Sequence, residues 1–294
     1  MSRRGWGMTS GERMVTANGV ELCVQAFGSA ADPAILLIHG ACASMLWWET
    51  ELCERLAARG RYVIRFDNRD TGRSVSYPPG SPGYSLTDLA RDAVGVLDAL
   101  GVDRAHVVGR SMSGGTALVL GVDHADRVAS LTFVATTPGD EDLPPMSGEF
   151  LEYTQNDPDP ADPAAVVEFI VGLLRRYAGG AAHFDAATTR ALAERDVART
   201  RDLAAAVTNH FRMAIDGPAG GGFGDLATPV LVVHGDRDPV YPLAHGRALH
   251  EAVPGSTLLV LEGAGHEVPA PLWDTFIEAL VRHTGGAEHF EEEP

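Results

Sequence analysis

Residues 105–120 read AHVVGRSMSGGTALVL. An apolar, β-branched run of strand length passes through Gly109-Arg110-Ser111-Met112-Ser113-Gly114-Gly115 directly into an apolar segment of helical character. A serine on so tight a strand-to-helix turn is held exposed above a sheet, and its neighbours must be small because the backbone folds closely there. The helix that follows aims its positive end at the same spot and favours negative charge. Ser111 is therefore the candidate nucleophile. Outward from this stretch, further strand-like runs bounded by turn residues fall at 20–27, 34–38, 62–66, 131–135, 230–233 and 257–261. Helix-length segments separate most of them. Segment 44–60 carries Met45, Trp48, Leu52 and Leu56 on one face, and segment 85–100 opens on Ser85-Leu86-Thr87-Asp88, similar to a capping box, and closes at Gly101, an expected C-cap. Strands such as AILLI and VLVV are apolar almost throughout, as in a mostly parallel sheet covered on both faces. The sequence thus predicts an α/β fold whose functional residues directly follow strands.

The alternation breaks between about residues 140 and 222. Two turn-rich stretches, PGDEDLPP and NDPDPADP, lead into purely helical patterns. Val166, Phe169, Ile170, Leu173, Leu174 and Tyr177 make one apolar helical face, and Leu203, Val207, Phe211 and Ile215 repeat every four residues. The expected organisation is a core of residues 1–139 and 223–286, a helical cap over 140–222 and an acidic tail, 287–294. Phe150, Tyr153, Phe169, Tyr177 and Phe211 read as core at helical spacing, or else as an apolar pocket. Arg175 and Arg176 read as solvated, or else as partners of an acidic substrate.

The stretch around Ser111 resembles the nucleophile elbow of the α/β-hydrolase superfamily, and the resemblance runs from about Thr16 to Arg282. The common pattern is G-x-S-x-G, whereas here Ser113 stands at the last position, which makes it a fallback nucleophile. A serine hydroxyl needs a base, and the base an orienting carboxylate. The chain has both in the superfamily's order of serine, acid, histidine. After the run 230–233 comes His234-Gly235-Asp236-Arg237-Asp238-Pro239, where the resemblance implies Asp238 as the acid, with Asp236 the runner-up. After the run 257–261, a glycine-rich loop carries His266, the one histidine of 11 with this placement. His39 and His234 read as structural. The resemblance also implies an oxyanion hole from the amides of Met112 and of Ala41 in the loop His39-Gly40-Ala41-Cys42-Ala43-Ser44, with Cys42 as the lesser alternative to Ala41. Asp67 and Arg69, in the D-x-R-x-x-G-x-S loop, read as braces. The four loops look most like those of actinomycete methyl esterases acting on anthracycline polyketides. This implies ester hydrolysis through an acyl-enzyme, with no cofactor and no metal, on a small-molecule ester. The same triad also serves lactones, thioesters, carbon–carbon bonds and cofactor-free perhydrolysis. A non-catalytic receptor on the same fold is the rival from another class.

Composition narrows the chemistry further. The 294 residues carry 23 basic and 40 acidic side chains, a net charge of −17, and every basic one is arginine. Without lysine there is no Schiff-base nucleophile and no P-loop cation. Such acidity disfavours nucleic acid and anionic membranes as partners. Cys23, Cys42 and Cys53 fit neither a disulfide framework nor a zinc site. With Arg3-Arg4 followed by no apolar run, the expectation is a cytoplasmic protein without a signal peptide. Oligomeric state is not readable from the sequence.

Overall fold

The computed structural model describes residues 11–285. The expected acidic tail and the Arg3-Arg4 pair lie outside them. Strands β1 (Arg13–Ala17) and β2 (Val20–Phe27) form a hairpin about Asn18-Gly19, where φ is 48° and 77°. Both angles suit the turn that matches strand twist. β1 is absent from the sequence expectations, although Asn-Gly between two apolar runs signals it. The chain continues through β3 (Ala34–Ile38), α1 (Thr50–Ala57), β4 (Tyr62–Phe66), α2 (Leu86–Leu100), β5 (Ala105–Arg110), α3 (Ser113–Asp123) and β6 (Val128–Val134). Then come α4 (Gly148–Thr154), α5 (Pro163–Tyr177), α6 (Ala186–Arg199) and α7 (Leu203–Thr208), with no strand among them. β7 (Val230–Gly235), α8 (Leu243–Ala252), β8 (Thr257–Leu261) and α9 (Trp273–His283) complete it. The expected capping box forms, Ser85 with Asp88, and Gly101 closes α2 at φ 69°.

The eight strands lie in the order β1-β2-β4-β3-β5-β6-β7-β8, and β2 runs antiparallel to both its neighbours while the rest are parallel. Alternate residues feed two cores. Leu36, Ile38 and Val107 pack with α2, α3 and α8, whereas Ile35, Leu37 and Val108 pack with α1 and α9. Each buried leucine or phenylalanine contributes roughly 2 kcal/mol relative to an exposed one. A smaller core joins Trp47 to Val166, Val171, Ala193 and Val197, fastening α5 and α6 above the sheet. From β3 the chain moves outward to β4 and then returns to place β5 on the other side of β3. At such a switch the loops leaving β3 and β5 diverge and leave a crevice beyond the strand ends.

The second cap pattern departs from expectation. Leu203 and Val207 pack on the smaller core, but α7 stops at Thr208, and Phe211 and Ile215 are 72% and 71% exposed. Asn209 and His210 are drawn into the core as polar partners of the loop after β4. Their burial pulls the chain out of helical register. Beyond them Ala214 bridges to Ser85 in extended form. Among the described residues, no helix is long and apolar enough to cross a membrane. The three cysteines are free.

Candidate active site

Ser111 follows β5 with φ at 51°, a left-handed conformation that costs a non-glycine residue on the order of 1 kcal/mol or more. Its surroundings impose that shape: the Ser111 amide donates to the Val134 carbonyl at 2.9 Å, and Thr136 Oγ1 donates to the Ser111 carbonyl at 2.8 Å. On the other side lies Gly40, where any Cβ would stand 3.0 Å from that of Ser111. The loop after β3 approaches the elbow so closely there that a side chain would need its neighbours to give by a few tenths of an ångström.

His266 ends the glycine-rich loop after β8. Its amide donates to the Tyr177 carbonyl at 2.7 Å, and a Cβ on the preceding Gly265 would run into the same carbonyl. The ring spans two partners, with Nε2 2.9 Å from Ser111 Oγ and Nδ1 2.7 Å from Asp238 Oδ2. A carboxylate can only accept, so Nδ1 carries the proton and Nε2 is free to accept from the serine. Asp238 Oδ1 accepts the amides of Val240 at 2.8 Å and Tyr241 at 2.9 Å. Burial pushes the Asp238 carboxyl up, but His266, His234 and the Tyr241 amide outweigh it and hold it below the ordinary aspartate range. The structure therefore brings Ser111, His266 and Asp238 into one hydrogen-bonded chain.

The lesser candidates stand elsewhere. Asp236 is exposed, and its carboxylate accepts the Gly263 amide at 2.7 Å. Ser113 is fully buried and donates its hydroxyl to the His39 carbonyl at 2.6 Å. Burial pushes the Cys42 thiol up to about 12, so it is held protonated. The Cys42 amide is engaged as well, donating to His210 Nδ1 at 2.8 Å. His234 Nε2 donates to the Tyr241 carbonyl at 2.7 Å. His39, held well below the ordinary histidine range by burial and by Arg110, is buried under the β3 loop. Ala41 is half-buried in that loop, and Met112 stands at the N-terminal end of α3, where the first amides have no partner within the helix.

Several contacts escaped the sequence reading. Arg110, between the elbow glycine and Ser111, is only 2% exposed. Its guanidinium donates to the His266 carbonyl at 2.7 Å, pairs with Glu267, lies 3.3 Å from His39 Nε2 and sits over the Trp48 ring. One side chain thus ties together the loops after β3, β5 and β8. Asp67 and Arg69 act as braces. Asp67 accepts the amides of Met45 and Arg73, each at 2.9 Å, and Arg69 forms a forked pair with Asp92 at 2.6 and 2.7 Å. Tyr177 and Tyr241 flank the His266 ring at 4.8 and 5.7 Å, and Phe150 stacks on Tyr177. Tyr153 stacks on Phe169 instead, and Arg176, read as solvated, lies 3.8 Å over Tyr153. Of these five aromatics, Tyr177 lies against the imidazole and Phe150 backs it.

A sequence profile of the alpha/beta hydrolase fold matches residues 33–270. The chain is an α/β-hydrolase. Among curated relatives of this hydrolase is the rhodomycin D methylesterase DauP of Streptomyces sp. (strain C5), 32% identical over 94% of this chain and 98% of its own. DnrP of Streptomyces peucetius, a rhodomycin D methylesterase as well, is 31% identical over the same shares. Among solved structures, the hydrolase superposes on the meta-cleavage product hydrolase CumD of Pseudomonas fluorescens IP01 with a TM-score of 0.74, at 20% identity over 93% of this chain and 97% of that one. This likeness bears on the fold.

Proposed function

We propose that this α/β-hydrolase is a serine esterase of the cytoplasm that cleaves a carboxylic ester, in the first instance a methyl ester of a bulky, polyketide-like small molecule. The observation that carries the reading is the unbroken relay from Ser111 Oγ through His266 to Asp238. Full-length similarity to two rhodomycin D methylesterases supports the substrate class. Tyr177, Phe150 and Tyr241 beside the imidazole supply an aromatic wall that suits a large apolar acid part.

His266 takes the proton from Ser111 as Oγ attacks the ester carbonyl, and the ionised Asp238 stabilises the imidazolium. The amides of Met112 and Ala41 receive the negative charge on the carbonyl oxygen, each worth about 3 kcal/mol in rate terms. As the tetrahedral adduct collapses, the bond from the acyl carbon to the alcohol oxygen breaks, the imidazolium gives its proton to the departing alkoxide, and the alcohol leaves while the acyl group stays on Ser111 Oγ. Water, deprotonated by His266, attacks that ester, and the acid departs as Ser111 regains its proton. Segment 140–222 serves as the cap over this chemistry.

The test is Ser111→Ala with methyl, aryl and lactone substrates. Turnover should fall by about a thousand-fold or more while the fold is kept. A variant as fast as the parent would overturn the assignment.

A further inference from the structure

We propose that His210, carried by the helical segment rather than the sheet, is a positioning residue that fixes the loop after β3 in the shape the oxyanion hole requires. This rests on the reading of Ser111 as nucleophile and Ala41 as amide donor. His210 is 3% exposed, and its ring spans two backbone groups. Nε2 lies 2.9 Å from the Arg69 carbonyl, and Nδ1 2.8 Å from the Cys42 amide, 168 residues away in sequence. A carbonyl can only accept and an amide can only donate. Nε2 therefore carries the proton, and Nδ1 offers a lone pair. Only the neutral imidazole, in this one tautomer, makes both bonds.

The bond matters because of where it falls. Cys42 has φ at 59°, an unfavourable conformation for a side chain branching from Cα, and it directly follows Ala41. The Cys42 N–H and the Ala41 carbonyl belong to one planar peptide unit. Holding the N–H holds the carbonyl, and with it the backbone on which the Ala41 amide sits. Without an acceptor, that unit is free to turn and relieve the strain. The support behind His210 is rigid in turn. Asn209, fully buried, donates to Asp70 Oδ2 at 3.0 Å and accepts the Gly80 amide at 2.7 Å, and the Tyr84 ring stands edge-on to His210 at 6.4 Å. Burial keeps His210 below the ordinary histidine range despite the nearby Asp70 carboxylate, consistent with a neutral ring.

The experiment compares kcat and KM for ester hydrolysis in the parent, His210→Leu, His210→Asn and Ser111→Ala, with circular dichroism on each. His210→Leu should lose about ten-fold or more in kcat with KM changed less than about two-fold, because the missing interaction serves the transition state. His210→Asn, whose Oδ1 stands close to the place of Nδ1, should recover most of that loss. Unchanged kcat in folded His210→Leu overturns the proposal, as does equal loss in both variants, which would leave a packing role only. If neither variant folds, nitrogen NMR of the parent decides: a protonated Nε2 and bare Nδ1 support it, and the opposite tautomer or a doubly protonated ring at the working pH overturns it. Full activity in Ser111→Ala removes the nucleophile reading and this proposal together. An inactive Ser111→Ala beside an unaffected His210→Leu removes this proposal alone.

Discussion

One residue separates Asp236 from Asp238, and their surroundings give them different work. Asp236 faces solvent and braces one amide, whereas Asp238 is buried, accepts two amides and orients an imidazole. Its carboxyl, held below the ordinary range by His266, His234 and the Tyr241 amide, stays ionised under mild acid. Glu49 behaves oppositely. Burial, with the Glu267 charge adding to it, pushes its carboxyl up to about 7. The folded chain then binds a proton that the unfolded chain releases near 4.5, so stability present below that value is lost as pH rises towards 7. Glu49→Gln should therefore match the parent at pH 4 and exceed it by on the order of 2 kcal/mol at pH 8, read from urea denaturation. Ser111 and His266 were legible because they lie on the elbow and loop that leave the ends of strands, where chemistry collects in such sheets, and Asp238 through the resemblance of its loop to the superfamily's acid loop. Arg110, Glu267 and His210 were not, since their partners lie far along the chain and no local spacing records them.

The helices of the inserted segment differ in how openly the sequence displays them. α5 announced itself by its apolar stripe, but α6 buries only Ala193, Asp196 and Val197. Beside those few apolar contacts, much of its hold on the core is polar. Asp196 accepts the Trp47 indole N–H at 2.7 Å, and Arg199 pairs with Asp67 at 2.9 Å and with Glu12 at 2.8 Å. A search for apolar periodicity passes over such a helix, yet its start was marked by Asp185, which caps it by accepting the amides of Ala187 and Thr188. Asp185→Ala should lower the unfolding free energy by about 1 kcal/mol without altering KM. A drop below a few tenths in denaturant titrations would mean that the Arg199 and Asp196 contacts and the packing of Ala193 and Val197 hold α6 without the cap. α7 shows the converse failure, because the four-residue repeat ending in Phe211 and Ile215 was apolar without being packed.

At the scale of the molecule, the mostly parallel sheet and the two-sided core followed from alternation and from continuous apolar strands, whereas the strand order did not. The seating of the helical segment did not, because it depends on polar bonds between distant loops. These bonds reach most of the site: His210 holds Cys42, the Tyr177 carbonyl holds the His266 amide, and the Ser147 amide donates to Pro239 beside Asp238 at 2.7 Å. Traffic is the consequence. On the proposed reading, with segment 140–222 as the roof, these seams oppose a wide hinge swing, so a bulky acid product would leave through brief fraying of the bonds and a small alcohol without it. Added viscogen should accordingly slow kcat on a large polycyclic ester and spare a small activated one. Equal sensitivity for both would place the slow step elsewhere.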